Sequence, residues 1–174
     1  MNSTPPDDLK LREVTEADLA TLFEQQQDPA ANWMAAFTAK DPNDRPAFAA
    51  KWARILGDPT VIARVVECRG RVVGNVGAFM APWSGQREVT YWIGREHWGQ
   101  GIATRALTAL LGVLTERPLH ARAAADNRAS IRVLEKCGFM RVGGERGFAE
   151  ARGEEIDEVV MELRAGAPDQ SDGA

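Results

Sequence analysis

Glu88-Val89-Thr90-Tyr91-Trp92-Ile93, then Trp98-Gly99-Gln100-Gly101-Ile102-Ala103, then an apolar-periodic run from Thr104 to Leu114, form the stretch that decides the reading of this chain. The first six residues alternate and are rich in β-branched and aromatic side chains, which suits a strand. The run after Ala103 repeats its apolar positions at helical spacing. A strand that turns through two glycines at i, i+2 into a helix leaves backbone N–H groups unpaired at the positive end of the helix dipole. Such a turn can cradle a phosphate. Taken alone, a G-x-G turn serves equally well as a loop passing through positive φ.

Two sharper phosphate patterns fail on the letters. The Walker-type loop needs a Gly-Lys pair, and the sequence has none. The dinucleotide fingerprint needs a third glycine where Thr104 stands, and no repeated βαβ unit follows. A second constellation lies downstream: Asp126-Asn127-Arg128-Ala129-Ser130-Ile131-Arg132-Val133-Leu134-Glu135-Lys136-Cys137-Gly138-Phe139. It reads as a helix, capped by Asp126 or Asn127, with Ile131 and Leu134 spaced for one buried face and Gly138 at the C′ position.

With Tyr91-Trp92-Ile93-Gly94 and Trp98 to Ala103, this helix resembles the GNAT superfamily of acyl-CoA N-acyltransferases, closest to the branch of ribosomal-protein N-terminal acetyltransferases and their bacterial relatives. The resemblance runs from about Leu9 to Leu163 and is specific mainly from Glu88 to Phe139. It implies one GNAT domain over residues 1–164 and an α+β (mixed α/β) fold. The central twisted sheet would be mostly antiparallel, of about six to seven strands, with helices on both faces. Two neighbouring strands, Arg87–Gly94 and Leu119–Ala125, would splay apart to admit a pantetheine arm.

Composition agrees with one such domain. The chain has 174 residues, 44% apolar and 26% charged, enough for a full core. A net charge of −4 argues against a nucleic-acid partner. No apolar run is long enough to cross a bilayer and Met1 to Asp8 is not signal-like, so no membrane partner and a cytoplasmic location are expected. His97 and His120 are too few and too far apart to suggest a metal, and Cys68 and Cys137 read as reduced thiols.

Along the chain, strands are expected at Leu9–Val14, Val61–Glu67, Arg71–Met80 and Leu119–Ala125, with Phe139–Val142 and Glu155–Leu163 closing the sheet. Arg69-Gly70 signals a hairpin. A helix begins near Thr15-Glu16-Ala17-Asp18, Asp28 to Asp44 reads as irregular, and Arg45–Leu56 as an amphipathic helix. Residues 165–174 are expected to be a disordered tail.

The resemblance places the backbone of Tyr91, Trp92 and Ile93 against the pantetheine of acetyl-CoA. It places Trp98, Gly99, Gln100, Gly101, Ile102, Ala103 and Thr104 around the pyrophosphate. Asn127 matches the family asparagine that contacts the cofactor, and Ser130 sits one turn on, facing the same way, as a second cofactor-binding candidate; the letters also allow Asn127 as a plain N-cap and Ser130 as an exposed helix residue. An amine must lose a proton before it attacks a thioester, whereas the departing thiolate needs little help. One base is required and one acid is optional.

Glu88 is the candidate base. It shares one strand face with Thr90 and Trp92, while Val89, Tyr91 and Ile93 share the other. Read alone, Glu88 is equally a solvated charge at a strand start. Many relatives protonate the thiolate with a tyrosine where this chain has Leu134. Ser130 is the nearest hydroxyl for that role; Tyr91, the only tyrosine, faces away from Glu88, and water is the default acid. A backbone N–H near Trp92 or Ile93 would polarise the carbonyl.

The resemblance implies an acceptor cleft walled by Asn32, Trp33, Met34, Phe37, Trp83 and Phe148, with Trp33, Met34 and Trp83 as its substrate-binding candidates; the letters equally allow most of these aromatics as core. The partner is then an amine, either a protein or peptide N-terminus or a small molecule. A non-catalytic acyl-CoA sensor is the other reading, and a homodimer fits an exposed sheet edge.

Overall fold

A computed structural model describes residues 8–166. Seven strands form one sheet in the order β1-β2-β3-β4-β5-β7-β6. They are β1 (Leu9–Glu13), β2 (Ile62–Cys68), β3 (Arg71–Met80), β4 (Arg87–Ile93), β5 (Leu119–Ala124), β6 (Met140–Ala149) and β7 (Glu154–Leu163). The helices are α1 (Leu19–Gln26), α2 (Pro29–Ala35), α3 (Arg45–Gly57), α4 (Ile102–Val113) and α5 (Arg128–Lys136). The sheet is antiparallel except between β4 and β5. The chain passes through α4 between those two strands, and such a crossover returns a strand parallel to the first.

β4 and β5 pair at one position only, Glu88 with His120. β4 continues along β3 from Arg87 to Ile93, and β5 continues along β7 from Leu119 to Ala124. The facing edges of β4 and β5 beyond Glu88 therefore part, as the splayed pair requires. One face of the sheet packs on α4 and α5, where Leu107, Leu110, Leu119, Leu134 and Met161 are almost fully buried. Each such leucine contributes about 1.5–3 kcal/mol relative to exposure. The other face packs on α1 and α3 through Leu22, Phe23, Phe48 and Trp52.

The β2–β3 hairpin turns at Arg69 (φ 53) and Gly70 (φ 74), the two positive-φ residues of a type I′ turn. Three expectations shift. Asp28 to Asp44 is not all irregular, because Asp28 caps α2 by accepting from the Ala31 amide at 2.9 Å and Pro29 stands in the first turn, where its missing N–H costs nothing. α4 begins at Ile102, two residues before the apolar run. β6 continues past Val142 to Ala149, with a register shift between Arg141 and Gly143. Residues 167–174, most of the expected disordered tail, lie outside the described residues.

Candidate active site

β4 ends at Ile93, a single 3-10 turn covers Arg95–His97, and the chain enters α4 through Gly99 (φ 77) and Gly101 (φ 72). A side-chain-bearing residue in that left-handed conformation costs about 1–2 kcal/mol. A Cβ at either glycine would meet nothing within 4 Å, so the backbone angle rather than crowding calls for glycine. Trp98 pins the turn: its Nε1 donates to the Ile93 carbonyl at 2.9 Å. Gly101 is the N-cap of α4 and supplies no side-chain cap. Among the described residues, the amides of Gly99, Gln100 and Gly101 make no backbone hydrogen bond. Those of Ile102, Ala103 and Thr104 precede the first helical bond, from the Arg105 amide to the Gly101 carbonyl at 3.1 Å. An anion set against this turn meets unpaired donors at a helix N-terminus.

A continuous cleft of about 1530 Å³ runs from this turn along the parted edges of β4 and β5 to the opposite face of the sheet. On the α5 wall, Asn127 caps the helix by accepting from the Ser130 amide at 3.2 Å, and its Nδ2 donates to the Met34 carbonyl at 3.1 Å. Asn127 thus ties α5 to α2, and its second Nδ2 hydrogen has no partner among the described residues. The Tyr91 hydroxyl lies 2.6 Å from Ser130 Oγ and 3.1 Å from the Ser130 carbonyl. Strand parity put Tyr91 opposite Glu88, and that face is the one α5 covers. Burial pushes the Tyr91 phenol up to about 12, against the opposing effect of its hydrogen bond to Ser130. Leu134 is packed in the core.

Glu88 is not a solvated charge. It is 4% exposed, and its Oε1 accepts from Arg122 Nε at 2.8 Å and Trp83 Nε1 at 3.1 Å. Oε2 has no hydrogen-bond partner among the described residues and is not sealed from solvent. Arg122, on β5, also meets Glu145 of β6 at 2.6 Å and Glu158 of β7 at 3.1 Å. Burial works against the Arg122 charge, but the hydrogen bonds to Glu145, Glu88 and Glu158 outweigh it and hold the guanidinium above its ordinary pKa. Burial pushes the Glu158 carboxyl up, opposed by Arg122, while Arg122 holds the exposed Glu145 carboxyl down. Three carboxylates around one cation leave this end of the cleft acidic.

Met34, Trp83, Phe37 and Phe148 line the cleft. Trp33 does not: it stands on the surface with the Arg152 guanidinium 4.9 Å from its ring, and Arg152 is itself paired with Asp126 at 2.6 Å. The side chain of Trp92 points to the other face, where Nε1 donates to the Gln25 carbonyl at 3.2 Å. Arg122, Glu145 and Glu158 were not foreseen. The only trace in the sequence is the pair of polar residues, His120 and Arg122, alternating along β5.

The sequence profile described as "Acetyltransferase (GNAT) domain" matches residues 8–140. An uncharacterized N-acetyltransferase, p20, from Bacillus licheniformis is 30% identical over 104 residues, which is 57% of this chain and 58% of that protein. Among solved structures, AAC(6′)-Ib in complex with ribostamycin and coenzyme A superposes with a TM-score of 0.76 at 21% identity, covering 96% of this chain and 100% of that one. The spermidine N-acetyltransferase of Vibrio cholerae in complex with CoA and spermine gives a TM-score of 0.76 at 19% identity, covering 90% and 95%. An N-acetyltransferase of Staphylococcus aureus gives 0.76 at 23%, covering 90% and 98%. The profile match extends through the turn at Gly99 to Gly101 and the α5 cap, and the chain belongs to the GNAT acetyltransferase family.

Proposed function

We propose that the protein transfers an acetyl group from acetyl-CoA to a primary amine by direct attack. One observation carries this reading: the cleft that begins at the unpaired amides of Gly99 to Thr104 ends at a buried carboxylate, Glu88, with one oxygen open. The residues present fit the co-substrate. The amides suit a pyrophosphate, and the unpaired edge of β4 from Thr90 to Ile93 suits the amide groups of a pantetheine arm. Acetyl-CoA, when bound, supplies an electrophilic thioester carbonyl and a sulfur leaving group.

Glu88 Oε2 receives the proton that the amine gives up, directly or through one water, as the C–N bond forms and the C–S bond breaks. The 2.8 Å hydrogen bond from Arg122 Nε fixes the Glu88 rotamer. With the Tyr91 proton shared between the Ser130 carbonyl and Ser130 Oγ, the Ser130 hydroxyl proton is left to donate toward the sulfur. Burial raises the Tyr91 phenol to about 12 and holds its proton, so the thiolate takes its proton from solvent. The excess of carboxylates near Trp83 and Phe148 suits an acceptor that carries positive charge. A peptide N-terminus, as in the ribosomal-protein branch, and a small polyamine both meet that condition.

Glu88→Gln tests the assignment. It preserves size and the acceptor oxygen for Arg122 while removing the base, and loss of a positioned base lowers turnover about 10²–10⁴-fold. The expected result is that loss in kcat with acetyl-CoA affinity within about twofold. Unchanged kcat would remove Glu88 from the chemistry, and lost acetyl-CoA binding would make its role structural.

A further inference from the structure

We infer that a second cavity, on the far flank of the Gly99 to Gly101 turn, is a phosphate-binding site formed by the arginines of the β2–β3 hairpin and of α4. The cavity measures about 420 Å³ and lies between the hairpin and the first turns of α4. Arg69, Arg71, Arg105, His97 and Gln100 line it, and no carboxylate does. This concentration stands out in a chain of net charge −4. Among the described residues Arg71 and Arg105 form no ion pair. Arg69 has only a 3.6 Å contact to Asp8 and its side chain is 72% exposed, and His97 meets Glu96 at 3.2 Å.

The backbone points the same way. Arg69 sits at φ 53 in the hairpin turn, a position where Asn or Gly is favoured and where another L-residue costs about 1–2 kcal/mol. The fold therefore holds a guanidinium at the tip of the hairpin against local preference, and such outliers cluster at ligand sites. Guanidinium groups offer fork-shaped donor pairs that match a phosphate, and the Gln100 amide and a His97 ring N–H add further donors.

His97 and Ile102 line both this cavity and the main cleft, so a phosphate here would sit behind the turn that faces the cleft. Two sources share the chemistry. One is the 3′-phosphate of the coenzyme whose pyrophosphate lies on the turn, which rests on the function proposed above. The other is a separate phosphate-bearing molecule, which does not.

The test compares the protein with an Arg71→Gln/Arg105→Gln variant by titration calorimetry, using CoA, 3′-dephospho-CoA and inorganic pyrophosphate at fixed ionic strength. Circular dichroism checks folding, and Arg71→Gln alone serves if the double variant is unstable. Arg141→Gln, on the far edge strand, controls for loss of charge elsewhere. If the coenzyme supplies the phosphate, the protein prefers CoA over 3′-dephospho-CoA by about tenfold or more. The variant then brings that ratio toward one. If the phosphate is separate, pyrophosphate binds the CoA-saturated protein and the variant abolishes that binding. The pyrophosphate arm needs no transferase activity; for a protein that binds no CoA it is read as pyrophosphate binding that the Arg71→Gln/Arg105→Gln variant abolishes and Arg141→Gln leaves intact. A CoA ratio near one with no pyrophosphate binding overturns the proposal, as does binding of both that the variant leaves unchanged.

Discussion

Arg122→Gln removes the cation on which Glu88, Glu145 and Glu158 converge. The Glu88 and Glu158 side chains are 5% and 15% exposed, so the variant leaves two carboxylates inside the protein without a counter-ion. Removing one partner of a buried ion pair costs about 3–5 kcal/mol. That is a large share of the ~5–15 kcal/mol that holds a domain folded. The sign with pH follows from proton binding. Carboxylates unneutralised in the folded variant hold protons more tightly than in the unfolded chain, so acid stabilises the folded state and relieves the defect. Urea denaturation at pH 8 and pH 5 reads this. The expected loss is about 3–5 kcal/mol at pH 8, and smaller at pH 5 by about 1.4 kcal/mol for each pH unit over which one extra proton is held. Adding Glu88→Gln to Arg122→Gln recovers part of the loss at pH 8, because it removes one uncompensated charge. A loss below about 1 kcal/mol, or one equal at both pH values, refutes the picture of Arg122 as the organising charge of the cleft.

Tyr91 is the only tyrosine, so absorbance at 295 nm during alkaline titration reports it alone. Its phenol should ionise near 12, with the native state losing stability above about pH 10, where the unfolded phenol releases its proton first; a native transition at pH 10 contradicts the packing against Ser130. The Arg12 hydrogen bond holds the Asp18 carboxyl down to about 2 from an ordinary 3.8, so its stabilisation is full above about pH 4 and lost as the pH falls toward 2. Asp18→Asn should therefore cost about 2 kcal/mol at pH 7 and little at pH 2 by denaturant titration, and an equal cost at both excludes the ion pair as its origin. Gly101→Ala should destabilise by about 1–2 kcal/mol through its left-handed backbone, whereas Gly112→Ala inside α4 should gain about 0.5–1 kcal/mol. Thermal melts showing the same sign for both would remove the conformational argument for the turn.

Local patterns in the sequence were enough for β3, for the hairpin at Arg69-Gly70 and for the capped helix after Asn127, because each depends on residues a few positions apart. α2 was missed because a segment rich in Pro, Asn and Asp reads as irregular, although Asp28 before Pro29 is itself a helix-start pair. The length of β6 was missed because Gly143, Gly144 and Gly147 weaken its strand pattern, and only pairing with β7 supplies the missing preference. In the site, the two glycines of the turn and the opposite faces of Glu88 and Tyr91 were legible from spacing and strand parity. The ion cluster was not. Arg122 meets Glu88 from 34 residues away and Glu145 from 23, and strand order alone brings them together. Trp33 shows the converse limit, since an aromatic beside cleft residues in sequence can stack on Arg152 outside the cleft.

The measurement that bears most directly on the account is thiol release from acetyl-CoA, followed continuously in the presence of N-terminal peptides, polyamines and aminoglycosides, with acetyl-CoA binding measured on the same preparation. The protein should bind acetyl-CoA, and thiol release should depend on one class of amine and fall on Glu88→Gln. Acetyl-CoA binding with no amine-dependent release would mean that the cleft holds the coenzyme without performing the transfer, and no binding at all would contradict the assignment of the Gly99 to Thr104 turn.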